Sequence, residues 1–504
     1  MKTATTPLSL WPTRARLAPV FSARLRAAEM GRTRGVALVG AGAIGVARLG
    51  AQGLQFVLFI SAARVLSVAD FGWFSLLFAI ATGLAVLAEG GWREQVVACE
   101  DARTVGVVHG LALRDGAFWA SWGAAALAMA AISGKVGSAV LAVGILLLPW
   151  VVLRPLAAVR EGVLTRSARL NALALITSLA EVASCFAGLV LLADGAGLTA
   201  LAGAKLTLLG VELAGLVLAG GGVWRAHAEP VVIGQMRCFS RQVRSARVLN
   251  FLQWNLATLL AGLAFAPAAV GLYRAAIRLA GLVQDVIGEP ARVFGWAFLR
   301  RTAEHDRACV PIAALRLLDA TLSVACAPLL LLALLSRPIV ALLLGSAWQD
   351  AAPILTLLAL GAIGRLVTMT TDPLLPLIGR ADLTQQLAQV TLAANVLALV
   401  VAVPFGIMGV AAAGLLAAVV SLGPAMGMLV RDARLSGSAL AWAMLPSLAG
   451  AITATIAATF QSSAALAPGA SALTAACLML LSAYAVGQAL TRVGRHLLAS
   501  RGFS

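Results

Sequence analysis

The chain of 504 residues is 61% hydrophobic and 12% charged, about half the charged share of a soluble domain. An aqueous core cannot bury so much apolar surface, so the composition excludes a water-soluble fold and predicts an integral membrane protein. The formal net charge of +17 would indicate nucleic acid binding on a soluble chain. Most cations here lie in alternate short loops instead, which argues against a nucleic acid partner.

Residues 1–35 form a basic tail with a single acid, Glu29. The tail lacks a short hydrophobic region followed by a cleavage site, so it is not a secretory signal. We expect a cytoplasmic tail held at anionic membrane lipids, with an organelle transit peptide as the alternative.

Fourteen apolar spans of roughly 20 residues follow and predict an all-α polytopic membrane protein. They cover residues 36–62, 71–90, 110–132, 138–159, 170–192, 198–223, 247–266, 270–291, 313–335, 352–376, 383–403, 407–428, 439–460 and 471–491. Lysines and arginines on the side of the N terminus outnumber those on the opposite side about ten to one. This bias predicts that both ends are cytoplasmic.

An internal repeat divides the spans. The junction of spans 1 and 2 (66–74) and the junction of spans 7 and 8 (265–273) share a pattern of small and apolar residues, a glycine and an aromatic residue. The repeat predicts two six-helix bundles related by a pseudo-two-fold axis along the membrane normal, plus two extra C-terminal helices. The predicted domains are an N-terminal lobe (36–223), a cytoplasmic inter-lobe loop (224–246), a C-terminal lobe (247–428), two additional transmembrane helices (429–491) and a basic C-terminal tail (492–504).

Ionisable residues inside spans are informative, because each costs about 2.5–3.5 kcal/mol at a helix centre. Span 8 carries Arg274, Arg278, Asp285, Glu289 and Arg292, which share one stripe at about 100° per residue. Such a stripe cannot face lipid. We expect Arg274 and Arg278 to line a water-filled cavity, and Arg292 to lie at the cytoplasmic interface.

Other spans contribute further candidates for the lining of this cavity. They are Arg48, Gln52 and Gln55 in span 1, Lys205 in span 6, Asn250 and Trp254 in span 7, Arg365 in span 10, and Gln385 and Gln389 in span 11. Arginine and lysine suit phosphate oxygens, while amides and tryptophan suit sugars, so an anionic lipid-linked glycan fits the set. Lys205 and Glu212 lie seven residues apart on one face of span 6, and for them an internal salt bridge between helices is an equal alternative to a place in the cavity lining.

Four acids could couple transport to a proton or sodium gradient, with static ion pairs as the alternative for each. They are Glu181, Asp285, Glu289 and Asp319. The six cysteines and four histidines lack metal-ligand spacing, so no metal site and no cofactor is expected.

Several segments resemble, in order, motifs of polysaccharide-exporting flippases. They are Ala63–Phe74 (A-R-x-L-x-x-x-D-[FY]-G-x-[FY]), Gly271–Arg274, Arg337–Leu355, Gly379–Arg380 and Pro404–Ala412. The resemblance implies the oligosaccharide flippase branch of the multidrug/oligosaccharidyl-lipid/polysaccharide exporter superfamily. Ala269 replaces the motif's aspartate in the second copy. The matched residues Arg64, Asp70, Gly72, Gly271 and Tyr273 look like a structural hinge rather than substrate ligands.

Members of that family move undecaprenyl-diphosphate-linked repeat units between the leaflets of the bacterial inner membrane. The resemblance therefore implies a non-enzymatic flippase working by alternating access, with a polysaccharide polymerase and export machinery as partners. A drug or small-cation exporter is the first alternative, although the cationic stripe disfavours cationic cargo. A membrane glycosyltransferase or polymerase is the second, although it would need a large extracytoplasmic loop. A structural scaffold is the third, and it would leave the charge stripes unexplained.

Overall fold

The computed structural model describes residues 50–98, 102–134, 136–220, 230–463 and 470–500, which are helical throughout apart from short connections. The helices are α1 (50–65), α2 (Val68–Glu89), α3 (Trp92–Ala98), α4 (Ala102–Ile132), α5 (Ser138–Arg166), α6 (Leu170–Ala193), α7 (Leu198–Gly220), α8 (Pro230–Ala264), α9 (Pro267–Val283), α10 (Glu289–His305), α11 (Val310–Leu334), α12 (Ser336–Leu343), α13 (Ala351–Leu377), α14 (Ala381–Ala402), α15 (Gly406–Arg431), α16 (Gly437–Ser463) and α17 (Ala470–Ser500). A π-helical turn, Gln284–Gly288, joins α9 to α10.

The chain is a multi-pass, all-α membrane protein, as the composition predicted. Every predicted span overlaps one of these helices. Nine segments within the described ranges are long and apolar enough to cross a membrane, and one of them, 382–431, holds both α14 and α15. The number of crossings and the cytoplasmic location of the ends stay predictions. The basic tail 1–35 and Arg48 lie outside the described residues.

Several helices extend beyond the predicted spans. In the predicted inter-lobe segment 224–246, the described residues are helical from Pro230 onward, because α8 begins there. Likewise α5 runs on to Arg166, α10 to His305 and α17 to Ser500. A hydropathy window detects only the bilayer-spanning part of a helix. Arginine and glutamine are good helix formers, so a polar continuation of the helix into water stays helical, although the hydropathy window does not detect it.

The two copies of the internal repeat contact each other. Helices α2 and α9 pack together where Gly72 faces Pro267 and Gly271 faces Val68. A Cβ on Gly72 would overlap the Pro267 carbonyl and lie 2.9 Å from the Gly271 nitrogen, and a Cβ on Gly271 would overlap the Val68 carbonyl. Small residues let membrane helices approach to backbone contact. The repeat is therefore the place where the two bundles join.

A second contact ties the bundles together at the same end. Arg64 donates from Nε to the Leu343 carbonyl (3.0 Å) and from Nη2 to the Leu342 carbonyl, at the end of α12. The buried indole of Trp348 donates to the Ala63 carbonyl at 2.8 Å. These bonds satisfy carbonyls that a helix end leaves unpaired. Two of the flippase-like segments thus bind each other, and their residues have a structural role here.

Helices α16 and α17 pack on each other, and α16 lies against α11. Helix α17 meets α11 through Tyr484, whose hydroxyl donates to the Leu322 carbonyl at 3.4 Å. Both helices therefore attach to the C-terminal bundle. The α2–α9 contact is made by the two six-helix bundles themselves.

Changing Gly72 or Gly271 to alanine should lower the thermal midpoint of the purified protein. The added methyl overlaps backbone atoms, and overpacking of this kind costs about 1–3 kcal/mol. Gly281→Ala is the matched control, because it lies on α9 with nothing within 4 Å of the new Cβ. A wild-type midpoint for Gly72→Ala, measured with a fluorescent melting assay, would contradict the close α2–α9 contact.

Candidate functional site

The candidate site is a group of cations contributed by both bundles, which we call the cationic cluster: Lys205, Arg274, Arg278 and Arg365. Arg274 and Arg278 lie on α9, Arg365 on α13 and Lys205 on α7. Lys205 lies within electrostatic range of Arg278 and of Glu181, and Arg274 within range of Arg278. Each of the four is partly buried.

A π-helical turn interrupts the charged stripe that the sequence predicted along span 8. Arg278 Nη1 lies 3.5 Å from Asp285 Oδ2, so these two residues share a face. The prediction that the stripe continues to Glu289 and Arg292 assumed one uninterrupted α-helix. The π turn Gln284–Gly288 breaks that register, because each of its residues advances less around the axis. The side chain of Glu289 lies outside the described part of the chain.

Lys205 extends from α7 towards α2. Its Nζ lies 5.4 Å from the centroid of the Phe78 ring, a cation–π arrangement. Lys205 makes no ion pair within 4 Å among the described residues. Glu212 pairs with Arg154 of α5 at 3.4 Å, so the alternative of a salt bridge between helices is formed by Glu212 and not by Lys205. Lys205 therefore keeps a positive charge that no neighbouring carboxylate neutralises directly.

Tyr273 lies near the arginines of two helices of the C-terminal bundle, α9 and α13. Its buried ring lies within electrostatic range of both Arg274 and Arg365. The Arg365 Nε is buried and has no hydrogen-bond partner among the described residues. A buried donor without a partner costs free energy that a bound acceptor would recover. This end of the cationic cluster is thus suited to an anion.

Helix α1 borders the cluster through its glutamines. Gln55 Nε2 donates to the Glu181 carbonyl at 3.1 Å, which brings α1 against α6. Gln52, three residues earlier, is half-buried on the same helix. Gln55 and Glu181, predicted separately from two spans, are therefore neighbours beside Lys205.

The remaining candidates lie elsewhere. Asn250 and Trp254 line a cavity between α2 and α8 with Arg247 and Asn255. Gln385 and Gln389 are exposed on α14, where neither makes a hydrogen bond to another described residue. Asp319 accepts a bond from Ser323 Oγ at 3.4 Å within α11, and Ser323 also accepts bonds from Gln488 and Arg492 of α17.

A buried ion cluster was missed from the sequence. Arg154 Nη1 lies 2.7 Å from Glu161 and 3.4 Å from Glu212, and Arg93 lies 3.1 Å from Glu161. Both glutamates are almost fully buried, at 5% and 6% exposure. Glu161 lies beyond the predicted end of span 4. Its spacing of seven residues from Arg154 would have placed both on one helix face.

Ion pairs also cross between the bundles at the far end of α2. Arg247 of α8 pairs with Glu89 of α2 and with Glu94 of α3, the latter at 2.7 Å. Arg244 pairs with Asp115 of α4 at 2.9 Å. Gly72 and Glu89 are 17 residues apart, about 25 Å along a helix. The two bundles are thus held together at both ends of α2.

The chain matches the family described as "Polysaccharide biosynthesis protein" over residues 62–353. No curated protein matches it. Its fold is similar to that of the lipid II flippase MurJ in an inward closed conformation, with a TM-score of 0.70, 12% identity and coverage of 90% of this chain and 99% of that chain.

Two further structures share the fold. The inward-facing conformation of a multidrug resistance MATE family transporter of the MOP superfamily gives a TM-score of 0.56 at 15% identity, covering 77% of this chain and 96% of that one. A point mutant of the Vibrio cholerae MATE transporter VcmN gives 0.51 at 13% identity, covering 79% and 98%. The arrangement of helices is therefore the one found in these transporters.

Replacing Glu161 with alanine should destabilise the protein by about 3–5 kcal/mol, because it leaves the charge of Arg154 without its nearest partner inside the helix bundle. Denaturation in mixed micelles with increasing SDS measures the change. The control is Glu304→Ala, which removes the exposed i,i+4 pair with Arg300 and should cost no more than about 0.5 kcal/mol. Equal effects of the two changes would contradict a stabilising role for the buried cluster.

Proposed function

The chain belongs to the polysaccharide biosynthesis protein family, and from that membership we propose that it translocates lipid-linked oligosaccharides across the bacterial inner membrane. The proposed substrate is a repeat unit joined through a diphosphate to undecaprenol. A polysaccharide polymerase and export machinery are its proposed partners.

The observation that carries the proposal is the cationic cluster. Lys205 comes from one bundle and Arg274, Arg278 and Arg365 from the other. Guanidinium groups bind phosphate oxygens bidentately, and an ammonium group adds a compact charge. A diphosphate placed among them would offer acceptors to the buried Arg365 Nε. A cationic drug would meet repulsion at the same place.

Movement between leaflets is proposed to use the contacts at the two ends of α2. One set is the glycine contact with the Arg64 and Trp348 hydrogen bonds. The other is the pair of ionic contacts made by Arg244 and Arg247. Opening one set while the other stays closed would expose the cationic cluster to one side of the membrane at a time.

Two of the predicted coupling acids lie beside the cationic cluster. Glu181 is within electrostatic range of Lys205, and Asp285 pairs with Arg278. A proton or sodium ion at either acid would alter the charge facing the substrate. We therefore propose Glu181 and Asp285 for coupling and set Asp319 aside, since it bonds Ser323 of α11, which also bonds α17.

Arg274→Ala and Arg278→Ala should reduce export of surface polysaccharide about ten-fold or more while the protein stays inserted. A hydrogen bond to a charged group contributes about 1.5–3 kcal/mol. The measurement is the amount of lipid-linked repeat unit that accumulates in the inner leaflet, together with surface polysaccharide. Arg300→Ala, an exposed arginine on α10, is the control and should export normally.

Normal surface polysaccharide in both cluster variants would overturn the role of the cationic cluster. Deletion of the whole protein tests the function itself. An unchanged lipid-linked pool together with increased drug sensitivity would favour the drug exporter.

A further inference from the structure

A cavity of about 360 Å³ lies between α2 and α8, apart from the cationic cluster. Its lining combines two amides, an indole and a guanidinium with two apolar side chains. The lining residues are Val86, Arg247, Asn250, Phe251, Trp254 and Asn255. Its volume lies near the lower end of the range for small-molecule sites, and its lining is more polar than is usual for them.

The faces of α8 show where this cavity opens. Phe251 packs against Gly83, and Gly262 packs against Leu76, so one face lies on α2. Leu263 is 86% exposed on an apolar face. At about 100° per residue Trp254 points directly away from Leu263, yet Trp254 is itself 59% exposed. Trp254 is therefore exposed on the side of α8 opposite Leu263, where it lines the cavity beside α2.

The polar groups at this face are available to a ligand. Neither the Asn250 amide nor the Trp254 indole makes a hydrogen bond to another residue within the described ranges. Asn255 uses one amide hydrogen for the Phe251 carbonyl, at 3.2 Å. An asparagine amide both donates and accepts, and so matches groups that do the same.

The charge of the cavity distinguishes it from the cationic cluster. Arg247 is its cation, and that charge is already balanced by Glu89 and Glu94. The surroundings are therefore not positive, and a phosphate would gain no electrostatic attraction here. A hydroxylated, uncharged group does gain, because its hydroxyls pair with the amides while its C–H face packs on the indole.

We propose that this cavity holds a sugar of the lipid-linked oligosaccharide, while the cationic cluster holds the diphosphate. The inference rests on the proposed function and divides the substrate between two subsites. Trp254 supplies the stacking surface, and Asn250 and Asn255 read the hydroxyls. Arg247 touches the same ligand and also joins α8 to α2 and α3, so a bound sugar lies against the ion pair that holds the bundles together.

The test compares two probes, undecaprenyl diphosphate and undecaprenyl-diphosphate-linked N-acetylglucosamine. Binding of each to the full-length protein in nanodiscs is measured by native mass spectrometry. The wild type should bind the glycosylated probe about ten-fold more tightly. Trp254→Leu should bring the two affinities within about two-fold by weakening only the glycosylated probe, and Trp254→Phe should keep most of the preference.

Trp122→Leu is the matched control, because Trp122 on α4 is 60% exposed and does not line the cavity. It should leave the preference intact. An unchanged preference in Trp254→Leu, or no preference in a wild type that still binds undecaprenyl diphosphate, would overturn the sugar subsite. A wild type that binds neither probe above a neutral lipid would overturn the proposed function as well.

Discussion

A charge that lies at membrane depth must be paired, hydrated or surrounded by protein, because hydrocarbon offers it no partner. That constraint organises the interior of this protein. Arg154 is held by two buried glutamates, and Arg247 and Arg244 by carboxylates from the opposite bundle. Lys205 and Arg365 lack such carboxylate partners among the described residues. Both residues belong to the cationic cluster, which draws on the two bundles.

The joints between the bundles differ in kind at the two ends of α2. The glycine contact depends on shape, since backbone meets backbone and any side chain there would separate the helices. The far end depends on charge, since Arg247 is shared between the buried Glu89 and the more exposed Glu94. An exposed pair such as Arg247–Glu94 contributes little by itself, whereas loss of the pair with Glu89 would leave a buried charge without its partner. The far end is thus the joint that responds to a change in ionisation.

Much of the fold could be predicted from the sequence, because lipid imposes a simple rule of length and hydropathy. Each predicted span overlaps a helix, and the repeat around Gly72 and Gly271 marked the meeting point of the bundles. The polar extension of α8 from Pro230 escaped that rule. So did the π turn Gln284–Gly288, because hydropathy does not register a change of helical register; Pro290, which lacks the backbone N–H, is the local sign of it.

The sequence predicted only part of the candidate site, because helical periodicity describes one helix at a time. Helical periodicity identifies residues that share a face of one helix, as it did for Arg278 and Asp285. It does not identify the neighbouring helix, so the sequence left Lys205 and Glu212 with the same two alternatives, a place in the cavity lining or a salt bridge between helices. Only the packing of helices shows that Glu212 pairs with Arg154, whereas Lys205 makes no ion pair among the described residues.

The separation between cations and amides is a consequence of the same packing. Arginines on α9 and α13 lie among apolar helices, where the low dielectric strengthens their attraction for a multiply charged anion and so offsets the cost of removing it from water. The amides and the indole on α8 lie beside ion pairs that are already balanced, where a second anion would be repelled by Glu89 and Glu94. A substrate with a charged diphosphate and a neutral glycan carries both chemistries in one molecule. Since the diphosphate joins the glycan to the lipid, such a substrate can occupy both places only in one orientation.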